Sequence, residues 1–176
     1  MSRTPDAPPS DPADAPARAA PSAEEVAEIS RRFFGAIPWV QELGMELTYL
    51  SEGVAVLRAP YDARLVGDPA TGVVHGGILT GLLDSCSGAA VMSHPSAPGE
   101  TATIDLRIDY MRPARPGGAI FARAECYRTS RSGAFVRAVA YEDDPEYPVA
   151  TAAGAFVVQA SAEVGPLTAR LKGDAP

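Results

Sequence analysis

Three side chains that could do chemistry fall within one short stretch, Val73-Val74-His75-Gly76-Gly77-Ile78-Leu79-Thr80-Gly81-Leu82-Leu83-Asp84-Ser85-Cys86. They are an imidazole, a carboxylate and a thiol. A carboxylate or thiolate can attack or take a proton, and an imidazole can carry one. Cys86 reads as packing, because no His is placed to activate it. His75 stands just before a glycine pair, where capping a helix is the simpler role and proton transfer the other. Asp84 is the demanding residue. From Ile78 to Met92 the chain is apolar or small. At helical spacing Ile78, Leu82, Ala89 and Met92 share one side, with Leu79, Leu83, Cys86 and Ala90 beside them. Such a wide apolar surface predicts a buried helix over about 76–93, ended by Pro95. A carboxylate buried there without partners is costly, so the functional reading starts from Asp84.

The rest of the chain supplies a sheet to cover that helix. Residues 1–21 are mostly Pro, Ala, Asp and Ser and predict a disordered tail. Ser22-Ala23-Glu24-Glu25 fits a capping box, and Val26, Ile29, Phe33 and Ile37 follow at helical spacing. That helix should stop near Ala36 or Ile37, before Pro38, and lie across the fold as a lid. Met45 to Leu50 and Val54 to Arg58 read as strands, followed by a loop from Ala59 to Gly72. Thr101 to Met111 alternates with period two. Ala102, Ile104, Leu106, Ile108 and Tyr110 are predicted buried; Thr101, Thr103, Asp105, Arg107 and Asp109 form the polar face. Pro113 to Gly118 reads as a turn. Ile120–Arg128 and Phe135–Tyr141 pair around Ser130-Arg131-Ser132-Gly133, and Val149 to Gln159 is a last strand. Consecutive strands on short links imply an antiparallel sheet. The expected fold is α+β, an antiparallel sheet wrapped around one long central helix, with an extra N-terminal helix. One domain over 22–160 carries it, and 161–176 reads as a flexible tail.

Composition narrows the function. The 176 residues are 46 % hydrophobic, enough for one real core. A formal charge of −7 argues against a general nucleic-acid binder. No apolar window has spanning length and no apolar signal segment follows the first Arg, so a membrane protein is not expected. Two cysteines, Cys86 and Cys126, make no disulfide framework, and the default setting is reduced and cytoplasmic. No Cys/His cluster has zinc spacing, and no metal or cofactor is expected.

Val74-His75-Gly76-Gly77-Ile78, with Asp84 seven residues after Gly77, resembles the signature of PaaI-like hotdog-fold acyl-CoA thioesterases. The strand Thr103-Ile104-Asp105-Leu106-Arg107-Ile108-Asp109-Tyr110-Met111-Arg112-Pro113-Ala114 is similar to the family's strand after the hotdog helix. The resemblance covers roughly 40–160. It implies a hotdog fold and hydrolysis of an acyl-CoA thioester. Asp84 would be general base or nucleophile, and the Gly76 N–H would polarise the carbonyl. The first N–H groups of a helix are unpaired and sit at the positive end of its dipole, and glycine lets substrate approach. Gly77 would touch substrate, and His75 would line the site. Asp68 is the nearest match to a family Asn that orients water or substrate. Thr103 matches a Ser or Thr that faces the catalytic carboxylate, but its parity puts it on the polar face. A bulge would be needed to turn it inward.

Spacing adds one deduction. Gly76 and Asp84 lie about 12 Å apart along a helix, so both cannot reach one carbonyl carbon. Two antiparallel helices across a two-fold axis would bring Gly76 of one chain to Asp84 of the other. A homodimer with shared sites is expected, and the family implies a further dimer of dimers. Between Asp105 and Arg137 there are seven Arg and three acidic residues. Arg112, Arg115 and Arg131 lie at or near turns and are the candidates for the CoA phosphates. Two other functions stay open: a non-catalytic acyl-CoA-binding hotdog protein, and a hydratase or dehydratase of acyl thioesters.

Overall fold

The computed structural model describes residues 21–96 and 99–160. Apart from Pro21, the tails expected at 1–21 and 161–176 lie outside the described residues. Helix α1 (Ala23–Ile29) begins on the predicted capping box: Ser22 Oγ accepts from Glu25 N, and Glu25 bonds back to Ser22 N. It then widens into a π turn over Ser30–Phe34, closed by Gly35 N donating to Ser30 O at 2.9 Å. A Cβ at Gly35 would collide with the Arg31 carbonyl, so this turn requires glycine. Pro38 does not only end this segment. It occupies the first position of a short helix, α2 (Pro38–Glu42), where its missing N–H costs nothing.

Eight strands follow: β1 (Glu46–Ser51), β2 (Val54–Ala59), β3 (Val66–Asp68), β4 (Val73–Val74), β5 (Gly99–Tyr110), β6 (Ile120–Thr129), β7 (Gly133–Tyr141) and β8 (Ala150–Ala160). Six form one antiparallel sheet in the order β1-β2-β6-β7-β8-β5. The central helix α3 (Gly76–Ser93) packs across its concave face. Leu82, Leu83, Cys86, Ala89 and Ala90 meet Ala55, Leu57, Ala122, Ala124 and Val136, all fully buried. Small residues on the strands let the helix sit close, and the Cys86 thiol donates to the carbonyls of Ala55 and Ala122. Burial pushes that thiol up to about 12, so it is a packing residue, not a nucleophile. This is the expected α+β hotdog arrangement.

Two expectations change. The loop read at 59–72 holds a 3₁₀ turn (Ala63–Leu65), and its end pairs with Val73–Val74 as the β3–β4 ladder. Pro113 to Gly118 is not a hairpin turn. It is the crossover from β5, at one edge, to β6 in the sheet's middle. The two edges differ. β1 is covered by α1, with Leu47 N donating to Ser30 Oγ at 3.2 Å. β5 has no strand or helix on its outer edge among the described residues, and Ile104, Tyr110 and Met111 are all exposed beside it.

Candidate active site

The sequence at the start of α3 sets which amide is open. His75 is the N-cap, extended at φ −65° and ψ 138°, and its Nδ1 accepts from Gly77 N at 2.9 Å. Ile78 N donates to His75 O. Gly76 N–H is left with no acceptor among the described residues, at the positive end of an 18-residue helix. The Tyr110 ring lies over Gly76, where a Cβ would meet ring carbon Cε1 at 3.3 Å. Its hydroxyl donates to Gly76 O at 3.3 Å and shares a 2.7 Å bond with Thr80 Oγ1. Gly76, Tyr110, Met111 and Arg112 line a small cavity of about 330 Å³. His75 is thus a cap, and Gly77 serves that cap: a Cβ there would lie 3.0 Å from His75 Nδ1.

Asp84 sits in the middle of α3, half-buried rather than enclosed. It is not alone. Thr103 Oγ1 donates to Asp84 Oδ1 at 2.7 Å, which leaves Oδ2 uncommitted. The period-two pattern of β5 put Thr103 on the wrong face, and the structure supplies the missing device. Thr103 pairs with Phe156 and Asp105 with Ala155, so Ile104 is a bulge. Before the bulge the odd residues Thr101 and Thr103 face the helix. After it the even residues Leu106, Ile108 and Tyr110 do. Ile104 and Ala102, expected in the core, are exposed, Ile104 at 66 %. Gly154 opposite makes room, since a Cβ there would lie 2.5 Å from Asp105 O.

Beside Asp84 runs a groove of about 620 Å³. Asp84, Ser85, Gly88 and Met92 of α3 form one wall, and Thr101, Ala102 and Thr103 of β5 another. Phe34, Ile37, Trp39 and Val40 cover it, and Phe156 closes its depth. The predicted lid is present, but α2 and the segment before it provide the cover, while α1 packs on β1.

Arg112 and Arg115 stand in the crossover and Arg131 in the β6–β7 turn. Arg112 pairs with the buried Glu142 at 2.9 Å, donates to Tyr147 O and stacks on the Tyr147 ring. Arg115 pairs with Asp143 through its guanidinium and with Glu142 through its amide. Burial works against the Glu142 charge, but the Arg115 amide and both guanidiniums outweigh it and hold the carboxyl below its ordinary range. These ion pairs fasten the crossover to the β7–β8 loop. Arg131 stands exposed in the β6–β7 turn with no ion pair among the described residues. Asp68 is folded onto its own loop: the Thr71 hydroxyl at 2.6 Å and then the Ala70 amide hold its carboxyl below the usual range. Among the described residues no cluster of His, Cys, Asp or Glu is placed to hold a metal.

The sheet and its central helix have counterparts in known proteins. Residues 71–149 match the thioesterase superfamily. A solved Pseudomonas aeruginosa protein is 40 % identical, with TM-score 0.68 over 76 % of this chain and 99 % of that one. Residues 71–149 are a thioesterase-superfamily domain. A Halobacterium salinarum protein named as an esterase is 42 % identical over 89 residues, 49 % of this chain. That match spans 58 % of the Halobacterium protein's own length. The medium/long-chain acyl-CoA thioesterase YigI of Salmonella typhimurium is 27 % identical, across 74 % of this chain and 91 % of that one. A variant of the phenylacetic acid degradation protein PaaI of Thermus thermophilus is 28 % identical, with TM-score 0.62 over 70 % of this chain and 100 % of that one. The PaaI resemblance drawn from the helix motif therefore stands.

Of the thioesterase motif, the structure brings Asp84 and Thr103 together and leaves Gly76 at the helix end with an open amide. It joins neither Asp68 nor the arginine pairs to them. Tyr110, Thr80 and the lid residues Trp39, Ile37 and Val40 were missed. Pro38 was the available signal for the lid, because Pro at a first helical position starts a helix as readily as a preceding residue ends one. No helix of the described residues is long and apolar enough to cross a membrane.

Proposed function

We propose that the protein is an acyl-CoA thioesterase acting as a homodimer, with each site built from Gly76 of one subunit and Asp84 of the other. The observation that carries this reading is the Thr103–Asp84 bond beside an apolar groove, with an unpartnered helix-terminal amide elsewhere on the same helix. Asp84 Oδ2 takes a proton from water, whose oxygen attacks the thioester carbonyl carbon. The Gly76 N–H of the partner helix donates to the oxyanion that develops. Collapse breaks the C–S bond, the acid leaves with the new hydroxyl, and the Asp84 proton goes to the departing sulfur. Thr103 orients the carboxylate and is a positioning residue. The bare β5 edge, with its exposed Ile104, Tyr110 and Met111, supports the two-fold contact.

The width of the groove and the name of the Salmonella relative support a medium or long aliphatic acyl group. The two unpaired cysteines go with a cytoplasmic setting. A CoA-release assay across acetyl-, butyryl-, octanoyl-, decanoyl- and benzoyl-CoA tests the reaction. Turnover of the longer chains is expected. Tight binding of decanoyl-CoA with no CoA released would make this a binding protein instead.

A further inference from the structure

The four glycines of α3 divide into two kinds. Three have a neighbour packed where the side chain would be. A Cβ at Gly76 meets Tyr110 at 3.3 Å, at Gly77 it meets His75 at 3.0 Å, and at Gly81 it meets Trp39 Nε1 at 3.0 Å. Gly88 is different. Among the described residues its only neighbour within 4 Å of a Cβ is Phe156 Cε1, at 3.9 Å. The space in front of it is therefore left open by the fold, and that space is the middle of the groove.

Position along the helix gives this opening its meaning. Gly88 lies one turn, about 6 Å, beyond Asp84, and Met92 one turn further, about 12 Å from it. From the carboxylate outward the α3 wall thus reads Asp84, Ser85, Gly88, Met92. Facing it the lining is mainly apolar, with Phe34, Val40 and Phe156 buried and Ile37 and Trp39 lying over the top, while Arg32, Thr101 and Thr103 are its polar members. Trp39 is 56 % exposed, a large apolar surface left uncovered at the groove's rim. A cavity of this volume falls within the range of small-molecule sites, roughly 300–1,000 Å³.

We infer that Gly88 and Met92 set the length of acyl chain this enzyme accepts. The chain runs from Asp84 along α3 beneath Trp39, past the gap at Gly88, and stops against Met92. This rests on the thioesterase reading. Each methylene that finds the groove should raise kcat/KM about fourfold until the chain reaches Met92, after which the gain ends.

The test compares wild type with Gly88→Leu and Met92→Ala over the butyryl- to dodecanoyl-CoA series. Gly88→Leu is expected to lower the decanoyl-to-butyryl ratio of kcat/KM about 30-fold. Met92→Ala should move the optimum to longer chains. An unchanged chain-length profile in both folded variants overturns the inference. If Gly88→Leu does not fold, Gly88→Ala, for which the structure has room, and Met92→Ala decide the matter by the same ratio. A second readout is independent of turnover. Trp39 is the single Trp of the chain. In Asp84→Asn, decanoyl-CoA should shift its emission, while CoA alone should not. If wild type releases no CoA from any thioester, the hydrolase reading fails. The groove is then judged by emission: a decanoyl-dependent shift that Gly88→Leu weakens at least tenfold supports it, and no shift overturns it.

Discussion

The two ends of the chemistry on α3 are built on opposite terms. At Gly76 the reactive group is backbone: an amide with no acceptor among the described residues, a missing side chain, and Tyr110 laid over the gap. At Asp84 the reactive group is a side chain, held by one hydroxyl and flanked by an apolar groove. No residue lines both cavities. The contrast fits the proposal that the helix carries halves of two different sites. It can be broken at either half, and the halves answer to different kinds of substitution.

The largest loss is expected from Asp84→Asn, about 10³-fold in kcat with melting temperature kept, measured by CoA release. The amide half needs a backbone change. Gly76→Pro removes the N–H at a first helical position, where proline is tolerated and the preceding His75 is already extended. A kcat loss of about 10²-fold is expected, because one oxyanion donor is removed. Mixing the two subunits sharpens the comparison most. Half the dimers in an equal, refolded mixture are heterodimers, each with one intact site. Activity should then return to about one quarter of wild type, since each site is shared across the two-fold axis. A mixture that stays as inactive as its components would place both halves of a site in one chain.

Thr103→Val should cost about tenfold in kcat with little change in KM, because it removes one hydrogen bond to a charged group. The Arg112–Glu142 pair borders the cavity at Gly76, but it ties the crossover to the β7–β8 loop, and its loss should act on stability. Glu142→Ala leaves a mostly buried guanidinium unpaired and should cost about 3 kcal/mol in denaturant unfolding. Because the folded Glu142 carboxyl titrates below its ordinary 4.5, its contribution is present above that pH and is lost as pH falls below it. Unfolding followed from pH 6 to 3 should show this loss in wild type and not in Glu142→Ala. Smallest is Arg131→Ala, expected to raise KM for acyl-CoA about threefold and to spare a short thioester lacking the nucleotide.

The helix and its sheet were legible because α3 is apolar over four turns and the strands keep period two over most of their length. The capping box at Ser22 was legible for the same local reason. What escaped was long-range. Arg112 and Arg115 lie in a stretch that is basic by sequence count, yet their acids, Glu142 and Asp143, stand just beyond its end and reach them only through the sheet. Asp84 looked like a buried charge without a partner, and its partner is a threonine on another element whose parity argued against it. The strand order was also hidden: β5 precedes β6 in the chain but pairs with β8, an arrangement that hydrophobic period does not encode.

The bulge at Ile104 has a consequence for how this strand can change over time. Thr103 and Tyr110 are seven residues apart, an odd number, and in a regular strand they would point to opposite faces. With the extra residue both reach the helix, one to Asp84 and the other to Gly76. The side chain at 104 points away from the helix, so neither helix contact depends on its identity. Both depend on the number of residues. A one-residue deletion anywhere between 103 and 110 would flip one contact out of the molecule while leaving every other residue type in place, so the stretch should tolerate a change at a solvent-facing position such as Arg107 far better than an indel.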